Sequence, residues 1–224
     1  SNIKGTWNIL ESARQVDTER VIIASSDKAY GIHEKLPYEE TTCLKASHPY
    51  DVSKACADLI AQSYYKTYKL NVGITRCGNL YGGGDFNFSR IIPGTIKSLL
   101  NDEIPIIRSD GKYIRDYFYV KDAVNSYLML AEKLMKHGIS GEAFNFGTEK
   151  PVSVLEVVDM LIEISGKKNI TKKILNEAHN EIKAQYLSCE KARRLLNWKP
   201  KYSLKDGLKE TYEWYKSFYS RIIV

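Results

Sequence analysis

The chain has 224 residues, 43% hydrophobic and 27% charged, with 33 Lys and Arg against 27 Asp and Glu for a net charge of +6. That is ordinary for a soluble globular protein long enough to bury a sizeable core, and the charge suits an anionic substrate, nucleic acid or simple solubility equally well. Cys43, Cys56, Cys77 and Cys189 form no CxxC pair, which argues against a metal site or a redox dithiol, and no apolar run approaches the roughly 18 residues needed to span a bilayer.

Residues 2–16 carry Ile3, Trp7, Ile9, Leu10 and Ala13 near helical spacing. Val21-Ile22-Ile23-Ala24 is a short apolar run suited to a buried parallel strand, and it ends in the polar cluster Ser25-Ser26-Asp27-Lys28. A loop with Pro37, Thr41, Thr42 and Pro49 leads to a long helix over 50–69, then a strand over 71–75 and a Gly-rich loop, GNLYGGGD, over 78–85. The pattern predicts a helix over 89–101, a strand over 104–107 and a Tyr-Phe-Tyr-Val start to a helix within 117–135. A strand over 143–146 follows, then helices over 153–165, 189–196 and 204–219. There is no internal repeat or low-complexity linker. Strand–helix alternation of this kind predicts an α/β doubly wound parallel sheet, whose ligands bind at the carboxyl ends of the strands.

Polar clusters directly after strands are therefore the places where chemistry is expected. Tyr50-x-x-x-Lys54 puts a phenol and an ammonium on one helix face, where the charge favours the phenolate and makes a general base; a surface i,i+4 pair reads the same locally. Ser26-Asp27-Lys28 offers a hydroxyl beside an acid and an amine, or merely a turn cap. GNLYGGGD allows close backbone approach and anion binding, or a tight loop with no ligand. Arg90 and Arg115 suit bidentate phosphate recognition; the Arg115-Asp116 dipeptide equally suits a surface ion pair.

In order along the chain, NIKGTWNILE, SSDKAYG, HPYDVSK, TRCGNLYGGGDF, SRIIPG, DGKYIRDYFYVKDAV, FNFG and EKARRLLNWKPKYSLKDGLKETYEWY resemble the NAD-dependent epimerase/dehydratase family of extended short-chain dehydrogenase/reductases. The resemblance covers essentially the whole chain. It implies a Rossmann-type sheet with a smaller C-terminal substrate-binding lobe. Residues 1–80 would be the remainder of the dinucleotide-binding domain and 81–224 mainly the lobe, with 113–146 returning to the sheet. Asp27-Lys28 with GNLYGGGD is similar to CDP-glucose 4,6-dehydratases rather than to 4-epimerases, which need no acid there.

By the same resemblance, Ser26, Asp27, Lys28, Tyr50 and Lys54 are catalytic, and Ser26, Tyr50, Lys54 and Cys77 contact NAD. Asn79, Arg90, Arg115, Gln185 and Tyr186 would bind a nucleotide-diphosphate sugar. The helices over 2–16 and 50–69 would pair with a second copy in a homodimer. The family's G-x-x-G-x-x-G turn, which holds the cofactor pyrophosphate, is absent, and the chain opens on Ser within a helix. The expectation is an N-terminally truncated, cytoplasmic enzyme that binds NAD poorly by itself and leaves an apolar sheet edge open. A 4-epimerase, and a non-catalytic binding protein of the same fold, are the alternatives. Nucleic acid is disfavoured by the lack of a basic stripe interleaved with aromatics.

Overall fold

The computed structural model describes residues 1–167, 169–177 and 182–222. In chain order it runs through α1 (Asn2–Gln15), β1 (Val21–Ala24), a 3-10 turn (Asp27–Tyr30), α2 (Pro49–Tyr68), β2 (Val72–Cys77) and β3 (Asn79–Tyr81). Next come α3 (Ile91–Leu100), β4 (Ile106–Ile107), β5 (Ile114–Arg115), β6 (Tyr117–Tyr119), α4 (Val120–Lys133) and β7 (Ala143–Phe146). The remainder holds β8 (Val152–Ser153), α5 (Val154–Ser165), β9 (Lys173–Ile174), β10 (Ala184–Gln185), α6 (Glu190–Leu196) and α7 (Leu204–Ile222).

The central sheet is parallel, in the order β1-β2-β7. Alternate residues of each strand face opposite sides, and both sides are covered. Val21, Ile23, Val72 and Ile74 pack with Leu10 and Ala13 of α1 and Ala61 and Tyr64 of α2. Phe144 and Phe146 face the other way, onto Leu130 of α4 and Ala192 and Leu196 of α6. The fold is thus α/β and doubly wound. A second core gathers Ile92, Ile96 and Leu99 of α3, Val157 and Leu161 of α5, and Leu208, Tyr212 and Tyr215 of α7.

Local chemistry accounts for the helix ends. Pro49 occupies the first turn of α2, where its missing N–H costs nothing. Ser153 and Glu156 close a capping box at the start of α5, and Gly166 ends that helix in the left-handed region. β2 runs to Cys77, two residues past the expected end, because Arg76 inside it finds a buried carboxylate partner. The Gly-rich loop opens with a true strand, β3, paired in parallel with β6. The run 104–107 contributes only the two-residue β4, paired with β9. Among the described residues no helix is long and apolar enough to cross a membrane.

Within the described residues β1 pairs only with β2, so its other edge carries unpaired backbone groups. Beside it, α4 turns Val124 (54% exposed) and Leu128 (60%) to solvent one helical turn apart, with Val120 one turn earlier. Arg20, just before β1, reaches the Ala131 carbonyl of α4, which makes the open edge and the apolar stripe neighbours. Exposed apolar stripes next to a bare strand edge promote association. Leu128→Lys with Val124→Glu should therefore raise the concentration at which the chain self-associates, read by light scattering, with little change in melting temperature. Unchanged scattering would mean that this face is not the adhesive one.

Candidate active site

The carboxyl ends of the sheet strands open onto two adjoining cavities. The inner one, 470 Å³, is lined by Ser26, Asp27 and Lys28 after β1, Tyr50 and Lys54 from the first turns of α2, and Cys77 at the end of β2. The outer one, 640 Å³, is lined by Arg108, Ser109, Tyr113 and Arg115. Asn79, Arg90, Ile91 and Tyr117 border both, so the two form one elongated cleft.

Ser26 caps the 3-10 turn: its hydroxyl accepts from the Lys28 amide at 3.2 Å and donates to Asp27 at 3.1 Å. The Lys28 ammonium donates to both Asp27 oxygens at 3.0 Å and to Asn79 Oδ1 at 2.9 Å. The Asp27 side chain is almost wholly buried, whereas Lys28 is partly open to the cleft.

The Lys54 ammonium donates to the Ala24 carbonyl at 2.9 Å, and burial lowers its pKa. Tyr50 departs from expectation. Tyr50 is still 54% exposed, and the partial burial of its ring holds the phenol above the ordinary value; Ser26 and Arg90 pull it down, and the Asp27 and Asp51 carboxylates push it up. Lys54 is engaged with the strand end instead of dominating the phenol. Cys77 forms part of the cleft wall with its thiol pushed up to about 12 by burial, so it is no nucleophile.

Arg90 is exposed and held by Asp85 at 2.9 Å. Arg115 is buried in β5, where it donates to the Ile114 carbonyl and faces the outer cavity. Gln185 was expected against substrate but is fully buried and lines neither cavity; its amide donates to the Asp27 carbonyl at 3.0 Å. Tyr186 also lies off the cleft lining, and its carbonyl accepts from the Tyr38 amide. Packing accounts for two glycines of GNLYGGGD: a Cβ on Gly82 would stand 2.3 Å from Val120, and one on Gly83 would stand 2.4 Å from the Trp214 ring.

Tyr127, which sequence reasoning missed, lines the inner cavity, with its phenol pushed up to about 12 mainly by burial. Being one of 16 tyrosines on an amphipathic helix, it carried no local signal. Behind the cleft, Arg76 makes a bidentate pair with Asp58 at 2.8 and 2.9 Å and donates to Tyr30 Oη, which donates to Asn145.

A family model described as GDP-mannose 4,6 dehydratase matches residues 1–211. The dTDP-D-glucose 4,6-dehydratase of Homo sapiens is 30% identical over 221 residues, 96% of this chain and 61% of that protein. Among solved structures, a Bacillus anthracis dTDP-glucose 4,6-dehydratase in complex with NAD superposes with a TM-score of 0.84 at 31% identity, covering 96% of this chain and 67% of that one. A Thermotoga maritima UDP-glucose 4-epimerase with UDP-glucose gives 0.90 at 28%, covering 97% and 70%. The chain thus spans about 61% of the length of the human protein.

Removing one partner of a buried ion pair strands the other charge, so Asp58→Ala should cost about 3–5 kcal/mol in urea unfolding, and Asp58→Leu with Arg76→Met should recover most of it. A loss below about 1 kcal/mol in the single variant would contradict the pairing. For Tyr50, subtracting the alkaline tyrosinate titration of Tyr50→Phe should reveal a phenol ionising above its ordinary value of about 10. Arg90→Ala should raise it further, because the Arg90 charge pulls it down. A Tyr50 titrating below the ordinary value would refute this balance.

Proposed function

This chain belongs to the GDP-mannose 4,6-dehydratase family of NAD-dependent nucleotide-sugar epimerases and dehydratases, and on that premise we propose that it works as a nucleotide-diphosphate-sugar 4,6-dehydratase. The observation that carries the reading is the Lys28 ammonium, bonded to Asp27 and Asn79 within the cavity that Tyr50 lines. A 4-epimerase has no use for that second acid–base pair. Asp27-Lys28 together with GNLYGGGD supports CDP-glucose as the substrate.

In this mechanism Tyr50, as the phenolate that the positive charge of bound NAD would favour against the burial raising it, takes the proton from the sugar 4-hydroxyl, which Ser26 orients. Lys28, as the neutral amine, removes the proton at carbon 5, made acidic by the ketone at carbon 4. Asp27 hands its proton to the departing 6-hydroxyl, which leaves as water. Two different protons are involved: Asp27 gives one to the leaving hydroxyl, and Lys28 keeps the one from carbon 5 and returns it there when carbon 6 is reduced; the two side chains stand 3.0 Å apart. Asn79, Arg90 and Arg115 border the length of cleft where the diphosphate would lie.

The donor set fits one end of a dinucleotide. Lys54, Tyr50 and Ser26 supply an ammonium and two hydroxyls at the strand ends, with Cys77 beside them, a set suited to a nicotinamide ribose. NAD held there would supply the hydride acceptor and donor. Residues 1–224 contain no G-x-x-G-x-x-G turn to take the pyrophosphate, which supports weak NAD binding by these residues alone. We read residues 1–80 with the returning segment 113–146 as the cofactor half and the rest as the substrate lobe. A homodimer is supported by apolar side chains on the outer faces of α1 and α2, among them Ile3, Trp7, Val52 and Leu59. The 4-epimerase reading is favoured by the closer superposition on the Thermotoga maritima epimerase, 0.90 against 0.84 for the Bacillus anthracis dehydratase.

The purified chain should be assayed with CDP-, dTDP- and UDP-glucose and added NAD. At NAD concentrations high enough to offset that weak binding, a 4-keto-6-deoxy product from CDP-glucose is expected, and Lys28→Met should form the 4-ketone while losing elimination by at least 10²-fold, the low end for a general base. A galactose epimer as the only product would establish the epimerase. Full-rate dehydration by Lys28→Met would remove Lys28 from the mechanism.

A further inference from the structure

Gln185 has no exposed surface, yet it is a polar side chain whose Oε1 finds no hydrogen-bond partner among the described residues. Its Nε2 donates to the Asp27 carbonyl at 3.0 Å, at the head of the turn that carries the Asp27–Lys28 pair. An apolar side chain of the same shape would fill the space without an orphaned oxygen, so filling is a poor account of a glutamine here.

The surrounding backbone gives the contact a direction. β10 lies parallel to β5, with Gln185 opposite Arg115 and Ala184 opposite Ile114. Beyond Gln185, the Tyr186 carbonyl accepts from the Tyr38 amide and the Ser188 amide donates to the Tyr38 carbonyl, while the Tyr38 hydroxyl donates to the Gly31 carbonyl at 2.8 Å. Segment 184–188 therefore grips the turn at both ends, Asp27 directly and Gly31 through Tyr38. Its other side is laddered to the strand that carries Arg115 on the outer cavity.

We infer that Gln185 is a positioning residue: it sets where Asp27 and Lys28 stand in the cleft and ties that placement to the Arg115 strand, so that an anion seated against Arg115 steadies the acid–base turn. Assigning the turn an acid–base role rests on the function proposed above; the mechanical link does not. Gln185 itself touches neither cavity and acts only through the Asp27 carbonyl.

Amide hydrogen exchange tests this without requiring turnover. The reporters are the Lys28, Ala29 and Gly31 amides, which bond within the turn, with the Ser25 amide, bonded to Thr75 of β2, as control. Gln185→Leu should speed the three reporters about tenfold, the scale of one buried hydrogen bond, and leave Ser25 unchanged. Inorganic pyrophosphate should slow the reporters in the native chain and not in Gln185→Leu.

Gln185→Glu adds a pH signature. Protonated, it donates to the Asp27 carbonyl; ionised, it repels it, so its turn should loosen with rising pH beyond the native chain's own trend. The groups facing it are Asp27 and Lys28 of the turn, Tyr38 of the loop and Arg115 of β5. Unchanged reporters in Gln185→Leu, acceleration spread equally to Ser25, or a pH trend in Gln185→Glu equal to the native one would each overturn the positioning role. Pyrophosphate that fails to slow the native turn, or slows both chains alike, would overturn the tie to Arg115. A chain that shows the exchange pattern and binds NAD but does not dehydrate would leave the link standing and sink the proposed activity instead.

Discussion

The buried pair of Arg76 and Asp58 is the contact on which the geometry of the cleft depends. Both side chains are all but sealed from water, 4% and 0% exposed. A charge so placed persists only when matched, and the planar guanidinium matches the carboxylate with two parallel bonds. Its third nitrogen donates to the Glu40 carbonyl and to Tyr30, whose hydroxyl continues to Asn145 of β7. One ion pair thus pins α2, β2, the end of the 3-10 turn and β7 to a common point. The side chains around the cleft leave from those same elements. Tyr50 and Lys54 start α2, Asp27 and Lys28 start the turn, and Cys77 and Asn79 follow Arg76. Their spacing is inherited from a buried network that never meets the cleft.

Much of this was legible in the residues. Strands buried on both faces read as apolar runs, and helices with one apolar face read by their period, so β1, β7 and the seven helices stand close to where the pattern puts them. The polar clusters after the strands do converge. What escaped has a common cause. β5, β8, β9 and β10 are two residues long, and their identity lies in partners far off in sequence, such as Ala184 against Ile114. No local pattern encodes that. The same limit hid the environment of Tyr50. Its neighbour on the helix suggested a depressed phenol, while the carboxylates Asp27 and Asp51 and partial burial push it the other way. Gln185 could be placed near a functional region by resemblance, but the direction of its amide depends on a ladder invisible in one dimension.

The two cores divide the labour of the molecule. One sandwiches the parallel sheet between α1 and α2 on one side and α4 and α6 on the other, and it mixes alanines, leucines and β-branched residues with three phenylalanines and Trp198. The other packs α3, α5 and α7 around leucines, isoleucines and tyrosines. The cleft lies where β3 and β6 join them, which is why its wall mixes strand-end side chains with Arg90 and Ile91 from the start of α3. Contacts that cross this seam, such as Gln185 on the Asp27 carbonyl, decide whether events on one side are felt on the other.

The indole of Trp214 occupies the volume that a side chain at Gly83 would need. Residues 131 positions apart are therefore bound by a single exclusion: a larger residue at 83 is admissible only after the tryptophan has shrunk, and the shrunken intermediate leaves a hole beneath the loop. Lineages carrying this protein should change the two positions jointly or leave both alone. A library that varies only the loop will recover glycine at 83, because the last helix of the chain constrains that position.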